Sequence, residues 1–187
     1  MASTDGTCDL KMSRLVEQMR EAVEAFSVLA QPPALIGGLA LAAHKVVRAT
    51  RDIDFLVSAD DSERLHTLLI DLGYRCIHRS EDAANYLRGD EGLDVLFAHR
   101  VEARRLLTTA ELRETGFGRL RVVSAEGLLA FKLQGFVNDP LRTRDLDDIR
   151  ALLRSNANTL DMREVRRYFV IFDREKLLDD LLARFND

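Results

Sequence analysis

From Asp9 to Ala30 the apolar residues Leu10, Met12, Leu15, Val16, Met19, Val23, Phe26 and Leu29 recur at helical spacing. This predicts an amphipathic helix, stopped by Gln31-Pro32-Pro33 because proline cannot continue it, with Met1 to Thr7 frayed ahead of it. The pattern then shortens. Leu35 and Ile36 read as the end of a buried strand, Gly37-Gly38 as a sharp turn, Leu39 to Val47 as a short helix, and Asp52 to Val57 as a second strand. A helix follows to Leu72, with Asp60 and Glu63 as capping residues and Gly73 as its stop. Tyr74 to His78, Ala84 to Arg88 and Leu93 to Ala98 read as three more strands, Val101 to Thr109 as a helix and Leu120 to Val123 as a last strand. Beyond that point only helices are predicted. The first is capped by Ser124 and runs to Val137 or Asn138, the second begins at Arg142 and buries Leu146, Ile149 and Leu153, the third spans Asp161 to Phe172, and the fourth runs from Asp173 or Arg174 to Phe185. The expectation is an α/β (mixed α+β) chain: a core with a small mixed sheet over residues 1–123 and a helical region over 124–187.

Composition narrows the classes. At 187 residues and 47% hydrophobic content the chain suits one compact core with a helical appendage, and a formal charge of −4 argues against a broad basic surface for nucleic acid. Cys8 and Cys76 are too few and too far apart for a zinc site, and they fit reduced thiols in a cytoplasm. Neither a membrane span nor a signal region is legible, so a soluble, cytoplasmic protein with no membrane partner is expected. His44, His66, His78 and His99 show no ligand spacing and are read as surface or packing residues.

The candidate chemistry lies in the first strand-turn-helix-strand unit. A glycine pair lets the main chain approach a ligand, and the following helix end offers N–H groups to a phosphate. On a strand Asp52 and Asp54 share a side, and two such carboxylates call for a divalent cation such as Mg²⁺ between them. A second Asp-x-Asp, Asp145-Leu146-Asp147, is weaker because on a helix Asp145 neighbours Asp148 and not Asp147. Asp94 interrupts the apolar run Leu93 to Phe97, where it either faces solvent at a strand edge or meets a partner. Lys132 sits on an apolar helical stripe, where its stem can snorkel or its ammonium can reach a triphosphate. Arg163, Arg166 and Arg167 could meet an acceptor's phosphates or simply form a solvated face.

Gly37-Gly38, thirteen residues, then Asp52-Ile53-Asp54 resembles the nucleotidyltransferase signature of the DNA polymerase beta superfamily. The fuller run with His44, Arg48 and Thr50, and the later Lys132 and Arg144-Asp145-x-x-Asp148-Ile149, is similar to the AbiEii-type toxin nucleotidyltransferases. The resemblance implies transfer of a nucleoside monophosphate from an NTP such as ATP to an acceptor hydroxyl. It implies Asp52, Asp54 and Asp94 as ligands of Mg²⁺ or Mn²⁺, with Lys132 on the triphosphate, and it places Gly37, Gly38, Asp145 and Asp148 at the nucleotide, where the nearby Thr50 and Arg51 are read as compensating for the hydroxyl that Leu39 lacks. It allows a transfer RNA, a protein or an antibiotic as acceptor and an antitoxin protein as partner. The alternative from another class is a nucleotide-binding or partner-binding module of the same fold that does not turn over. Two positions depart from the pattern: Leu39 stands where many superfamily members have serine, and Lys45 stands where the small branch often has glycine.

Overall fold

The computed structural model of the chain describes residues 5–184, with side chains from Arg14 onward. A seven-stranded mixed sheet carries the chain, in the order β3-β4-β5-β2-β1-β7-β6. The inner strands β1 (Ala34–Ile36), β2 (Ile53–Ser58) and β5 (Glu91–Ala98) hold the buried apolar runs, with β1 antiparallel to β2 and β2 parallel to β5. Strands β3 (Arg75–Arg79) and β4 (Ala83–Arg88) extend one side as an antiparallel meander onto β5. Strands β6 (Glu111–Thr115) and β7 (Gly118–Val122) form a hairpin on the other side, with β7 parallel to β1.

Helix α1 (Asp5–Phe26) packs on the sheet and on α3 (Ser62–Asp71), and Phe26 meets Phe55 edge to face at 5.3 Å. The buried carboxylate of Asp61 accepts from the main-chain N–H groups of Ala30 (3.0 Å) and Gln31 (3.1 Å), which pins the turn leaving α1. Asp61 is therefore spent on the chain before β1. The predicted Asp60 and Glu63 caps give way to Ser58, whose hydroxyl accepts from Asp60 N–H ahead of a 3₁₀ turn over Ala59–Asp61. The caps predicted at Ser124 and Asp161 form: Ser124 accepts from Gly127 N–H at 3.2 Å and Asp161 from Arg163 N–H at 2.9 Å.

Helix α2 (Gly37–Ala43) starts two residues earlier than its pattern and ends four earlier. Its end is a left-handed cap: Lys45 has φ +64, Val46 N–H reaches Leu41 O at 3.0 Å and Lys45 N–H reaches Ala42 O at 3.2 Å. Glycine is the usual residue there, so the lysine hid the stop. Strand β6 was not expected, because its Glu-Leu-Arg-Glu-Thr carries no apolar alternation and is held by its ladder to β7 as an exposed edge.

After α4 (Val101–Thr108) and the hairpin come α5 (Ala125–Asn138), α6 (Thr143–Ser155), α7 (Met162–Ile171) and α8 (Glu175–Ala183). Phe185, the expected end of the last helix, and Met1 to Thr4 lie outside the described residues, while residues 5–7 are helical. Helix α5 contacts α2, α6 and α7. Gly127 permits its start to sit close, since a Cβ there would fall 2.5 Å from Val123 and 2.6 Å from Leu106. Arg167 forks onto Glu102 at 2.8 and 2.7 Å, and Arg105 joins Glu164 and the Tyr168 hydroxyl, so α7 is locked to α4. Among the described residues no helix is long and apolar enough to cross a membrane.

Candidate active site

Strand β1 delivers Gly37 and Gly38 to the end of the sheet where β2 begins. Gly37 has φ +64, and a Cβ on it would land on the Asp54 carboxylate; a Cβ on Gly38 would fall 2.8 Å from Thr50 and 3.2 Å from the Arg48 guanidinium. Only glycine admits this approach of main chain to a carboxylate. Gly38 N–H donates to Asp54.

Asp54 lies in register with Ile36 on one side and Asp94 on the other. Burial, then the Asp94 charge, raise the Asp54 carboxyl to about 7, with Asp52 adding to the rise and Lys132 and the Gly38 N–H opposing it. Asp94 is also raised, by burial first and then by Asp52, although it accepts a hydrogen bond from Asn85 Nδ2 at 2.8 Å. Asp52 precedes the ladder, which starts at Ile53, and is exposed; its carboxylate lies 2.5 Å from where a Cβ on Gly92 would sit. Asp52, Asp54 and Asp94 thus act on one another electrostatically at one end of the sheet.

Lys132 projects from α5 to Asp145 Oδ1 (2.9 Å) and Asp148 Oδ2 (2.8 Å), both buried on α6. Arg48 Nε meets Asp148 at 2.9 Å and Arg142 Nε meets Asp145 at 2.8 Å, closing a chain of three cations and two carboxylates. Asp147 is exposed and pairs with Arg150, so the second Asp-x-Asp triplet does not act as a pair. Gly135 leaves room for this cluster, as a Cβ on it would fall 2.7 Å from Asp145 Oδ2.

Thr50 packs on Gly38, and Arg51 stands exposed beside Asp52. His44 is buried, its Nε2 2.8 Å from Val123 O and its carbonyl accepting from Asn156 Nδ2 at 2.9 Å, and burial lowers its pKa. It fixes α2 to the end of β7 and to α6. His66 meets the Tyr86 hydroxyl and His99 meets Phe97 O, both as packing contacts, while His78 is exposed. Asn85, Gly92 and Arg142 were not singled out from sequence. Asn85 is one polar residue in β4, and its place opposite Asp94 follows from strand register alone. Arg163, Arg166 and Arg167 pair with Asp161, Asp179 and Glu102.

Among the described residues no three His, Cys, Asp or Glu side chains converge as a ready metal site. The fit of a divalent cation rests on the donor set: the hard carboxylate oxygens of Asp54 and Asp94, raised by burial and by neighbouring carboxylates, gathered with Asp52 at one end of the sheet.

A family model described as uncharacterised nucleotidyltransferase matches residues 5–169. The solution structure of the antibiotic-resistance factor ANT(2'')-Ia superimposes with a TM-score of 0.67 at 18% identity, over 92% of this chain and 98% of that one. The crystal structure of ANT(2'')-Ia with adenylyl-2''-tobramycin gives 0.64 at 19% identity, over 84% and 96%. The lincomycin-bound lincosamide antibiotic adenylyltransferase LnuA gives 0.54 at 17% identity, over 73% and 94%. At these identities the shared feature is the fold. No curated protein matches the sequence significantly.

Proposed function

We propose that this chain, which belongs to the family of uncharacterised nucleotidyltransferases, moves a nucleoside monophosphate from a nucleoside triphosphate to the hydroxyl of a small acceptor. The observation that carries this reading is the glycine main chain lying against Asp54, itself raised to about 7 beside Asp94. A repelling carboxylate pair under a backbone cradle costs stability and serves no packing purpose. Mg²⁺ or Mn²⁺ held by Asp52, Asp54 and Asp94 would supply the charge that offsets the triphosphate and eases ionisation of the attacking hydroxyl.

The chain's own residues do the rest. Gly37 and Gly38 let the phosphates approach the main chain, and Thr50 and Arg51 flank them. Asp94, with its raised pKa and its orientation fixed by Asn85, takes the proton of the acceptor hydroxyl. The hydroxyl oxygen bonds to the α-phosphorus, the bond from that phosphorus to pyrophosphate breaks, and pyrophosphate leaves with the electron pair. Lys132 supplies positive charge near Asp54. Asp145 and Asp148 hold its ammonium, with Arg48 and Arg142 leaving the cluster one net positive charge. In this reading residues 1–123 are the transferring core, and the helices of 124–187 present Lys132 to it.

The adenylyl-2''-tobramycin complex and the lincomycin-bound relative support a small hydroxylated acceptor over RNA, as does the net charge of −4. The AbiEii-type arrangement of Lys132, Asp145 and Asp148 fits the same core, and a toxin role with an antitoxin partner in the cytoplasm would add to this chemistry without changing it.

The test is transfer of label from α-labelled ATP to tobramycin and lincomycin, with cellular RNA alongside. Asp94→Asn is expected to lower kcat by about 10²–10⁴ with a much smaller change in KM. No labelled acceptor in any arm, or an unchanged kcat, would overturn the assignment.

A further inference from the structure

A cleft of about 420 Å³ opens beside the phosphate cradle, within the range of small-molecule sites. Its floor is apolar, made by Leu15 of α1, Leu39 of α2 and Phe117 at the tip of the β6–β7 hairpin. Resting on the nucleotidyltransferase reading, we infer that this cleft takes the nucleoside of the triphosphate and that Phe117 is the face on which the base stacks.

Continuity with the cradle is the first argument. Thr50 lines the cleft and also packs against Gly38, so a ligand whose phosphates lie on Gly37 and Gly38 has the cleft as its next free volume. Asp94 and Asn85, on the side assigned to the acceptor hydroxyl, do not line it. The floor excludes the other parts of the substrate: phosphates would lose their hydration against Leu15, Leu39 and Phe117, whereas a flat ring gains by burial there.

Rigidity is the second argument. Phe117 N–H donates to Thr115 Oγ1 at 3.1 Å and that hydroxyl donates to Gly118 O at 2.7 Å, so the half-buried ring is presented by a pinned turn. Charge is the third. Arg14 at the rim is committed to Asp90 (2.8 Å) and Glu91 (3.5 Å), and Arg48 to Asp148 (2.9 Å). Arg51, exposed beside Asp52, has no hydrogen-bond or ion-pair partner among the described residues, which frees it for the phosphate that joins the nucleoside to the cradle. Stacking accepts any base, so the cleft distinguishes a nucleotide from bare phosphates more sharply than one base from another.

The test compares binding of ATP and inorganic tripolyphosphate, each with Mg²⁺, to wild type, Phe117→Ala and Phe117→Leu. The leucine variant keeps apolar packing at the hairpin tip if the alanine variant folds poorly. Wild type is expected to hold ATP about tenfold or more tighter than tripolyphosphate, and both variants to lose about tenfold in ATP affinity with tripolyphosphate binding unchanged within about twofold. Variants that bind ATP like wild type, or that lose both ligands equally, would overturn the cleft assignment alone. Binding of neither ligand by wild type would overturn the nucleotide reading with it.

Discussion

Asp54→Asn is expected to raise the melting temperature of the protein by several degrees at about pH 8 in the presence of a chelator, and to leave it unchanged at about pH 4. The folded Asp54 carboxyl titrates at about 7, against an unfolded value of about 3.9. Between these values the folded state binds the proton more tightly than the unfolded state, so stability falls as pH rises through the window and the loss is complete above the folded value. The shift sets an upper bound of about 4 kcal/mol on that loss at alkaline pH. An amide removes the charge and still accepts from Gly38 N–H. Mg²⁺ is expected to raise the wild-type melting temperature and to leave the variant nearly unmoved. Equal melting temperatures at both pH values would mean that Asp54 is not held against its own charge.

Lys132→Met is expected to destabilise the protein by about 3–5 kcal/mol, read as a lower urea midpoint at unchanged m-value. The side chain is 12% exposed and its two partners 5% and 4%, so removing the ammonium leaves Asp145 and Asp148 buried with one arginine each. A solvent-screened pair would cost under about 1 kcal/mol, and that outcome would contradict the buried cluster. Adding Asp148→Asn to Lys132→Met is expected to recover part of the loss, because the second change removes the stranded charge and couples to the first.

What was legible in the sequence was whatever depends on residues close along the chain. Gly37, Gly38, Asp52 and Asp54 fall within one strand-turn-helix-strand unit, and the β2–β5 ladder that places Asp94 opposite Asp54 draws on an apolar run that Asp94 visibly interrupts. The helical stop at Gly73 and the caps at Ser124 and Asp161 have their own local chemistry, and all three lie at element ends, whereas α1 ends at Phe26, four residues ahead of the end at Ala30 that the prolines suggested. What was not legible depends on register or on unusual residues at standard geometry. Lys45 adopts a glycine conformation, β6 has no hydrophobic signature, and the pairing of Asn85 with Asp94 exists only once β4 is laid beside β5. Lys132, Asp145 and Asp148 were marked by spacing, but their mutual ion pairs, and the arginines at 48 and 142 that complete them, required α5 and α6 to be packed together.

The measurement that tests the central claim most directly is pyrophosphate release from each of the four ribonucleoside triphosphates, with Mg²⁺ and small hydroxylated acceptors, for wild type beside Asp52→Asn/Asp54→Asn. Release by wild type from at least one triphosphate, reduced by about 10³ or more in the double variant, is the predicted result. No release from any triphosphate while Mg²⁺-dependent nucleotide binding persists would contradict it and leave a binding module on a nucleotidyltransferase fold.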